Sequence, residues 1–185
     1  LDFRQLWING QKAVRARDVA DFEKMYRIIN NDPQNEILWV PAAAVKKIQK
    51  ARYAEMVLHE MWCVANLRIK SVEIQGDSAA VRFHHPESRI QFEHPWPRPM
   101  VTKDGHNSAF YLTNAMELLD EPGEWYHDIE SRKIYYYPRK GEKISKAVVP
   151  GIETLVWVEG TIDRPVKHIR FDNIAFQYTT WMRPS

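Results

Sequence analysis

The sequence has little cysteine and little glycine, no long apolar run, and almost no surplus of either charge. Cys63 is the one cysteine, which excludes a disulfide framework and a multi-cysteine zinc site. Glycine occurs seven times in 185 residues, with no glycine-rich loop of the kind that cradles a nucleotide phosphate. No apolar stretch approaches the roughly 20 residues that span a bilayer as a helix, so no membrane partner is expected. A formal net charge of +2 is too small a surplus for the clustered basic face of a nucleic-acid binder. No Ser/His/Asp nucleophile motif is visible, and no secretory leader is visible at Leu1. Abundance lies elsewhere. Aromatic residues make up 12% of the chain and include seven tryptophans. Such residues favour strands and also supply flat faces on which sugars or bases stack.

The apolar patterning is mostly of strand type. Phe3 to Ile8 alternates and ends at Asn9-Gly10, the strongest short hairpin signal, with Gln11 to Arg17 as the return strand. Phe22, Met25, Ile28 and Ile29 have near-helical spacing, stopped by Asn30-Asn31-Asp32-Pro33. Ile37 to Val40 reads as a strand. Pro41 then opens the best helix pattern, Ala42 to Lys50, with lysines toward its C-terminus. Strands follow at Met56 to Cys63, Leu67 to Ile74 and Ala79 to Phe83, with Gly76-Asp77 as a turn. In the second of these the apolar alternation slips between Ile69 and Val72. His84 to Asn107 is polar, carries prolines at 86, 95, 97 and 99, and reads as a long loop. Ala115 to Leu119 makes one helical turn. Glu124 to Asp128 and Lys133 to Tyr137 form an aromatic hairpin. Ile144 to Val149, Leu155 to Val158, His168 to Phe171 and Ile174 to Tyr178 complete the strands. Many short strands and one real helix predict a mainly β chain, an antiparallel β-sandwich or related β-structure. The tail differs. Ile169-x-Phe171 and Ile174-x-Phe176, joined by Asp172-Asn173, have the pattern of one coil of a parallel β-helix. One coil cannot bury its own apolar face, so further coils are expected beyond Ser185.

Glycoside hydrolysis uses two facing carboxylates, about 5–5.5 Å apart for retention and about 6.5–9.5 Å for inversion. Asp120, Glu121, Glu124 and Asp128 are the densest acidic group, yet neighbours in a turn do not face each other across a sugar ring, and a structural role fits them better. No catalytic residue is therefore assigned. His84, His85, His94 and His106, with Glu87 and Glu93, lack metal-ligand spacing, so neither metal nor cofactor is expected. His94-Pro95-Trp96-Pro97-Arg98-Pro99 is the best binding segment. Its prolines limit the entropy lost on binding, Trp96 offers a stacking face, and Arg98 adds a fork of donors. The plainer reading has Trp96 plugging the domain against the helix. Trp7, Trp39, Trp62, Trp125 and Trp157 fall in predicted strands and are read as packing residues.

Four segments carry a family resemblance. They are Gln5-Leu6-Trp7-Ile8-Asn9-Gly10 through Arg17; Glu55 to Trp62 with Leu67-Arg68-Ile69; Glu117 to Asp128 with Ile134-Tyr135-Tyr136-Tyr137-Pro138; and Leu155-Val156-Trp157-Val158-Glu159-Gly160 through Phe176 and Trp181. Together they resemble the bacterial right-handed parallel β-helix glycoside hydrolases and related polysaccharide-processing proteins, in which a β-sandwich is inserted near the start of the helix. The resemblance implies an inserted β-sandwich-like domain over residues 1–150 and the first coil of a β-helix over residues 151–185. It implies that the catalytic carboxylates lie on later coils, outside this chain. The expected role is non-catalytic: shaping the substrate groove and capping the first coil, whose bare end exposes strand edges. Trp181 would then border that groove and join Trp96 and Arg98 as a substrate-binding residue. The expected partners are carbohydrate and the remaining coils, with a homodimer through strand edges if Ile169, Phe171, Ile174 and Phe176 stay exposed. A secreted or periplasmic setting is implied. Two alternatives stay open. One is a carbohydrate-binding or adhesion module without chemistry; the other is a polysaccharide lyase, which needs a base rather than an acid pair.

Overall fold

The computed structural model of the protein describes residues 3–94 and 97–183. Among these described residues thirteen strands occur in chain order: β1 (Trp7–Ile8), β2 (Gln11–Lys12), β3 (Val14–Arg15), β4 (Tyr26–Arg27), β5 (Asn30–Asp32), β6 (Ile37–Pro41), β7 (Glu55–His59), β8 (Val64–Gln75), β9 (Ser78–Phe83), β10 (Ala109–Thr113), β11 (Glu124–Asp128), β12 (Lys133–Tyr136) and β13 (Ala147–Val148). Two short helices, α1 (Ala42–Val45) and α2 (Glu87–Glu93), join them. The chain is mainly β, and every strand pair is antiparallel except β3 with β11. It divides into two compact units. The larger spans Val14–Lys143; the smaller takes the residues before Val14 together with Ile144–Met182.

The larger unit is built on a seven-stranded sheet in the order β4-β10-β7-β8-β9-β6-β5. Strand alternation explains its buried face. Leu38 and Val40, Met56 and Leu58, Ala65 and Leu67, Ala79 and Val81, and Phe110 and Leu112 repeat every second residue and enter one core. Val45, the last residue of α1, and Ile48 just beyond it close that core. The long strand β8 pairs with β7 in its first half and with β9 in its second. Its register shifts between Ile69 and Ser71, where the apolar alternation slips in the sequence. A second sheet, β12-β11-β3, places Trp125 in full burial. The sequence expectation for this aromatic hairpin matches it closely, with Trp125 opposite Tyr136 and Asp128 opposite Lys133.

Three local expectations are corrected. The helix expected over Ala42 to Lys50 is α-helical only to Val45. Beyond it, Ile48 N–H donates to Val45 O at 3.1 Å and Ala51 N–H to Ile48 O at 2.9 Å. These three-residue bonds tighten the chain and bring Ile48 into the core, so packing overrides propensity. The long polar loop contains α2, which starts directly after Pro86 and carries Glu87 in its first turn. Asn30–Asp32, read as a stop, is the edge strand β5.

The smaller unit begins with the expected hairpin. Asn9 and Gly10 have φ of 50° and 81°, and Ile8 pairs with Gln11. A two-residue turn needs this left-handed conformation, which is what the Asn-Gly pair supplies. Asn9 Oδ1 then accepts from Ser145 N–H at 2.9 Å and Lys146 N–H at 3.1 Å, which seats β13 beside β1. The return strand ends at Lys12, and Val14–Arg15 turns away to pair with β11. The fold after Val148 is a further correction. Among the described residues no strand follows β13, so Leu155 to Val158, His168 to Phe171 and Ile174 to Tyr178 form none. Residues 151–177 are all exposed. An extended run without a neighbouring strand has no partner for its amides and carbonyls and therefore no ladder. The chain is fastened again at Thr180, whose N–H donates to Ile152 O at 3.1 Å and whose Oγ1 accepts from Arg4 N–H at 3.3 Å.

Candidate functional site

The acidic turn is built for structure. Glu124 is buried, and its carboxylate accepts backbone N–H groups of Arg17 at 3.3 Å and of Asp120 and Glu121 at 3.2 Å. Burial raises its pKa above the ordinary carboxylate range, against the pull of those amides. Oε2 closes the turn, and Oε1 ties it to the chain just after β3. Asp128 similarly clasps the β11–β12 turn through Ser131, whose Oγ donates at 2.7 Å. His85 lies 3.8 Å from Glu36 and His106 lies 3.9 Å from Asp104, both at the surface. Among the described residues no three His, Cys, Asp or Glu side chains converge as a metal site. Nor is any described helix long and apolar enough to cross a membrane.

The expected sugar-contacting residues fare unequally. Trp96 lies outside the described residues. Arg98 is exposed in the segment before β10, in the larger unit. Trp181 is 49% exposed in the smaller unit, so neither unit gathers the set. The tryptophans read as packing residues also divide. Trp125 is fully buried, whereas Trp157 is 76% and Trp62 66% exposed.

Trp62 marks a site that the sequence reading missed. The predicted strand Met56 to Cys63 in fact ends at His59, and Glu60-Met61-Trp62-Cys63 is a tight turn between β7 and β8. Glu60 N–H donates to Cys63 O at 3.0 Å to close it. The turn contains no Gly, Pro, Asn or Asp, so nothing in the sequence marked it. It separates two open hollows of the larger unit. One, of about 240 Å³, is lined by Glu60, Trp62, Cys63, Ile90, Gln91, His94 and Pro97. The other, of about 230 Å³, is lined by Glu60 with Phe22, His59, Met100 and the 106–109 segment.

Glu60 lines both hollows, and its side chain is held in place. Its Oε1 accepts from Gln91 Nε2 at 2.6 Å, and its Oε2 accepts from Cys63 Sγ at 3.1 Å. Gln91 is delivered by α2 and is buried. Burial raises the pKa of Glu60, partly offset by these two hydrogen bonds and by His94. Burial and then Glu60 push the Cys63 thiol up to about 11, so it stays a protonated donor and is no nucleophile at neutral pH. In the second hollow His59 meets Phe22 edge-on at 5.4 Å, and burial followed by the Arg27 charge lowers the imidazole's pKa. Glu60 is the one carboxylate among the residues lining either hollow. Two-carboxylate hydrolysis is thus not assembled here. An oriented acceptor beside an exposed indole is chemistry for binding.

The GH141 insertion domain family matches residues 1–139. A solved structure named "Glycoside hydrolase" is 71% identical, with a TM-score of 0.90 over 100% of this chain. This chain spans 32% of that one, about a third of its length. Among curated proteins nothing matches.

Proposed function

The chain belongs to the GH141 insertion domain family, and from that premise we propose that it is the non-catalytic, glycan-facing part of a carbohydrate-active enzyme. The parent would be a glycoside hydrolase acting on plant or microbial polysaccharide, working outside the cytoplasm. The observation that carries this reading is the 71% identity to a glycoside hydrolase of which this chain matches about a third. An inserted domain must interrupt its host, and the larger unit is entered at Val14 and left at Lys143 between two pieces of the smaller one. The mainly β, antiparallel architecture fits the β-sandwich-like domain proposed for residues 1–150.

Residues 151–185 would supply the first coil of a parallel β-helix. Supporting this is the set of exposed apolar residues Leu155, Trp157, Ile169, Phe171, Ile174 and Phe176. In the parent those side chains would pack against the following coil. The chain would cap the coil and form one wall of the substrate groove, with Trp96, Arg98 and Trp181 touching the glycan. The catalytic carboxylates would lie in the remaining two thirds of the parent. A second reading, a carbohydrate-binding or adhesion module without chemistry, draws on the Glu60 hollows, which offer binding groups and no acid pair.

Assays of the chain and of the longer parent on the same polysaccharides test the proposal. The expected result is release of reducing ends by the parent and none by the chain. Within the parent, Trp181→Ala and Arg98→Ala should lower kcat/KM while leaving thermal unfolding in place. Hydrolysis by the chain alone would overturn the non-catalytic assignment, and a parent inactive on every glycan would favour the binding module.

A further inference from the structure

We propose that the hollow bordered by Arg27 and His59 is a binding site for one acidic sugar ring, a uronic acid residue whose carboxylate docks on the Arg27 guanidinium. The inference rests on the carbohydrate-active reading above and adds to it a site in the larger unit. Strand register places the charge. β10 sets Phe110 opposite both Tyr26 and Leu58, and Phe110 and Leu58 enter the core. The next positions, Ala109, Arg27 and His59, therefore leave the sheet on its other face. There the Arg27 guanidinium lies 4.5 Å from the centre of the Phe22 ring, and His59 meets the same ring edge-on. Phe22, His59 and Ala109 all line the hollow of about 230 Å³, so Arg27 stands at its border.

What this wall lacks is an anion. Arg27 is half-buried and takes part in none of the ion pairs found among the described residues. Its Nη1 and the Nε2 of His59 are buried, and neither has a hydrogen-bond partner. A guanidinium in that position has lost much of its water, and stacking on Phe22 replaces only part of it. Burial and then the Arg27 charge keep the His59 pKa low, so the imidazole brings hydrogen bonding without a second positive charge at neutral pH. Ser108 Oγ, also in the lining, accepts from Met100 N–H at 2.9 Å and keeps its hydrogen for a ligand oxygen. The one carboxylate in the lining, Glu60, is held by Gln91 and Cys63, which line the other hollow and not this one. Phe22, Met61 and Met100 supply an apolar wall for the C–H face of a sugar ring. The volume lies below the roughly 300–1,000 Å³ typical of sites for drug-sized ligands, and so suits a single ring. A guanidinium fork matches a planar carboxylate through two parallel hydrogen bonds, so a uronate is preferred over its neutral counterpart.

Calorimetric titration of the 185-residue chain with short galacturonate and glucuronate oligomers, and with their neutral galactose and glucose counterparts, tests this. Wild type should bind at least one uronate saturably, and its neutral counterpart more weakly by about tenfold or more. Arg27→Gln should weaken the uronate by about tenfold or more, and Arg27→Lys, which keeps the charge and loses the fork, should fall between. Arg52→Gln removes an exposed arginine elsewhere on the larger unit and should leave binding unchanged. Circular dichroism of each variant confirms that the fold is kept. Uronate should also shift the NMR signals of the Met61 and Met100 methyl groups in wild type, a readout that stands even if an Arg27 variant fails to fold. Failure of every uronate to bind wild type, or equal binding of the neutral sugars, overturns the site. So do methyl signals that stay in place, uronate binding that a folded Arg27→Gln leaves unchanged, or an equal loss with Arg52→Gln. Each of these failures leaves the parent reading standing, because that reading is decided separately by hydrolysis in the longer protein.

Discussion

Leu58 and Trp157 both lie in short runs of apolar residues, and their fates are opposite. Leu58 is fully buried in β7, which has β8 on one side and β10 on the other. Trp157 is 76% exposed in a stretch that, among the described residues, pairs with no strand. Composition alone favours the second run: Thr154-Leu155-Val156-Trp157-Val158 has four apolar and three β-branched residues, against three and one in Glu55-Met56-Val57-Leu58-His59. What separates them is neighbours. A strand is a pairing as much as a sequence, because its amides and carbonyls need partners and its side chains need an opposing layer. The seven-stranded sheet supplies both within the chain. Among the described residues the 151–177 segment has no strand beside it, and its apolar side chains stay exposed.

The strongest way to break that contrast is to truncate one large side chain in each region. Phe110→Ala, in β10 between β4 and β7, should cost about 3–5 kcal/mol in chemical denaturation, the range for a buried aromatic. Phe171→Ala should cost within about 0.5 kcal/mol in the same chain, because it is half exposed and lies outside any strand. In the parent the second figure should rise toward the first. Equal losses in the isolated chain would show that the segment 151–177 is already packed as a core.

A buried ion pair sharpens the picture of the sheet. Arg15 donates to both carboxylate oxygens of Glu55, at 2.7 and 3.0 Å, with the two side chains 12% and 7% exposed. Glu55→Ala strands the guanidinium and should cost about 3 kcal/mol. The surface pair Arg52–Glu130, at 2.9 Å, gives the contrast: Glu130→Ala should cost less than about 1 kcal/mol. A double-mutant cycle on each pair checks both figures.

Gly123 sharpens it at the backbone level. Its φ is +95°, and a Cβ there would stand 3.0 Å from Arg139 Nε. Gly123→Ala should therefore cost about 1–2 kcal/mol through left-handed strain, with Arg139 swinging aside. Gly10 also has positive φ but nothing within 4 Å of a Cβ, so Gly10→Ala reports the strain alone. A shift in thermal midpoint larger for Gly123 than for Gly10 is the expected result.

These same regions show what could be read from the sequence. Asn9-Gly10, Gly76-Asp77 and the Trp125–Tyr136 hairpin were legible because each turn carries a residue whose chemistry demands it. The mainly β architecture followed from the same punctuation. The turn at Glu60–Cys63 was not legible, and the site built on it went unread. That turn is specified by the pairing of β7 with β8, from Glu55 opposite Arg68 to His59 opposite Val64, and such pairing is a tertiary fact. Edge strand β5 was masked by its own polarity, since Asn30-Asn31-Asp32 carries loop chemistry and pairs only because Ile37–Trp39 lies beside it. The tail failed in the other direction: the residues spell strands, and no strand lies alongside.

The smallest expected effect is electrostatic and belongs where the sheet meets the chain that covers it. Asp18 Oδ1 accepts from Leu112 N–H at 2.9 Å, and Asp18 N–H donates to Leu112 O at 3.1 Å. Burial raises the Asp18 pKa, and its backbone hydrogen bonds with the Lys47 charge recover only part of the shift. A raised carboxyl holds its proton more tightly in the folded state than in the unfolded chain. Its contribution to stability is therefore full below the unfolded value of 3.8 and is lost as pH rises through the folded value. Asp18→Asn keeps an oxygen for the Leu112 amide and removes the titration. The variant should match wild type below 3.8, gain on it as pH rises through the window just above, and hold a constant lead by neutral pH. Urea unfolding at several pH values reads the difference directly. A variant that instead loses ground as pH rises would mean that ionised Asp18 is stabilised in the fold, with the hydrogen bonds outweighing the burial.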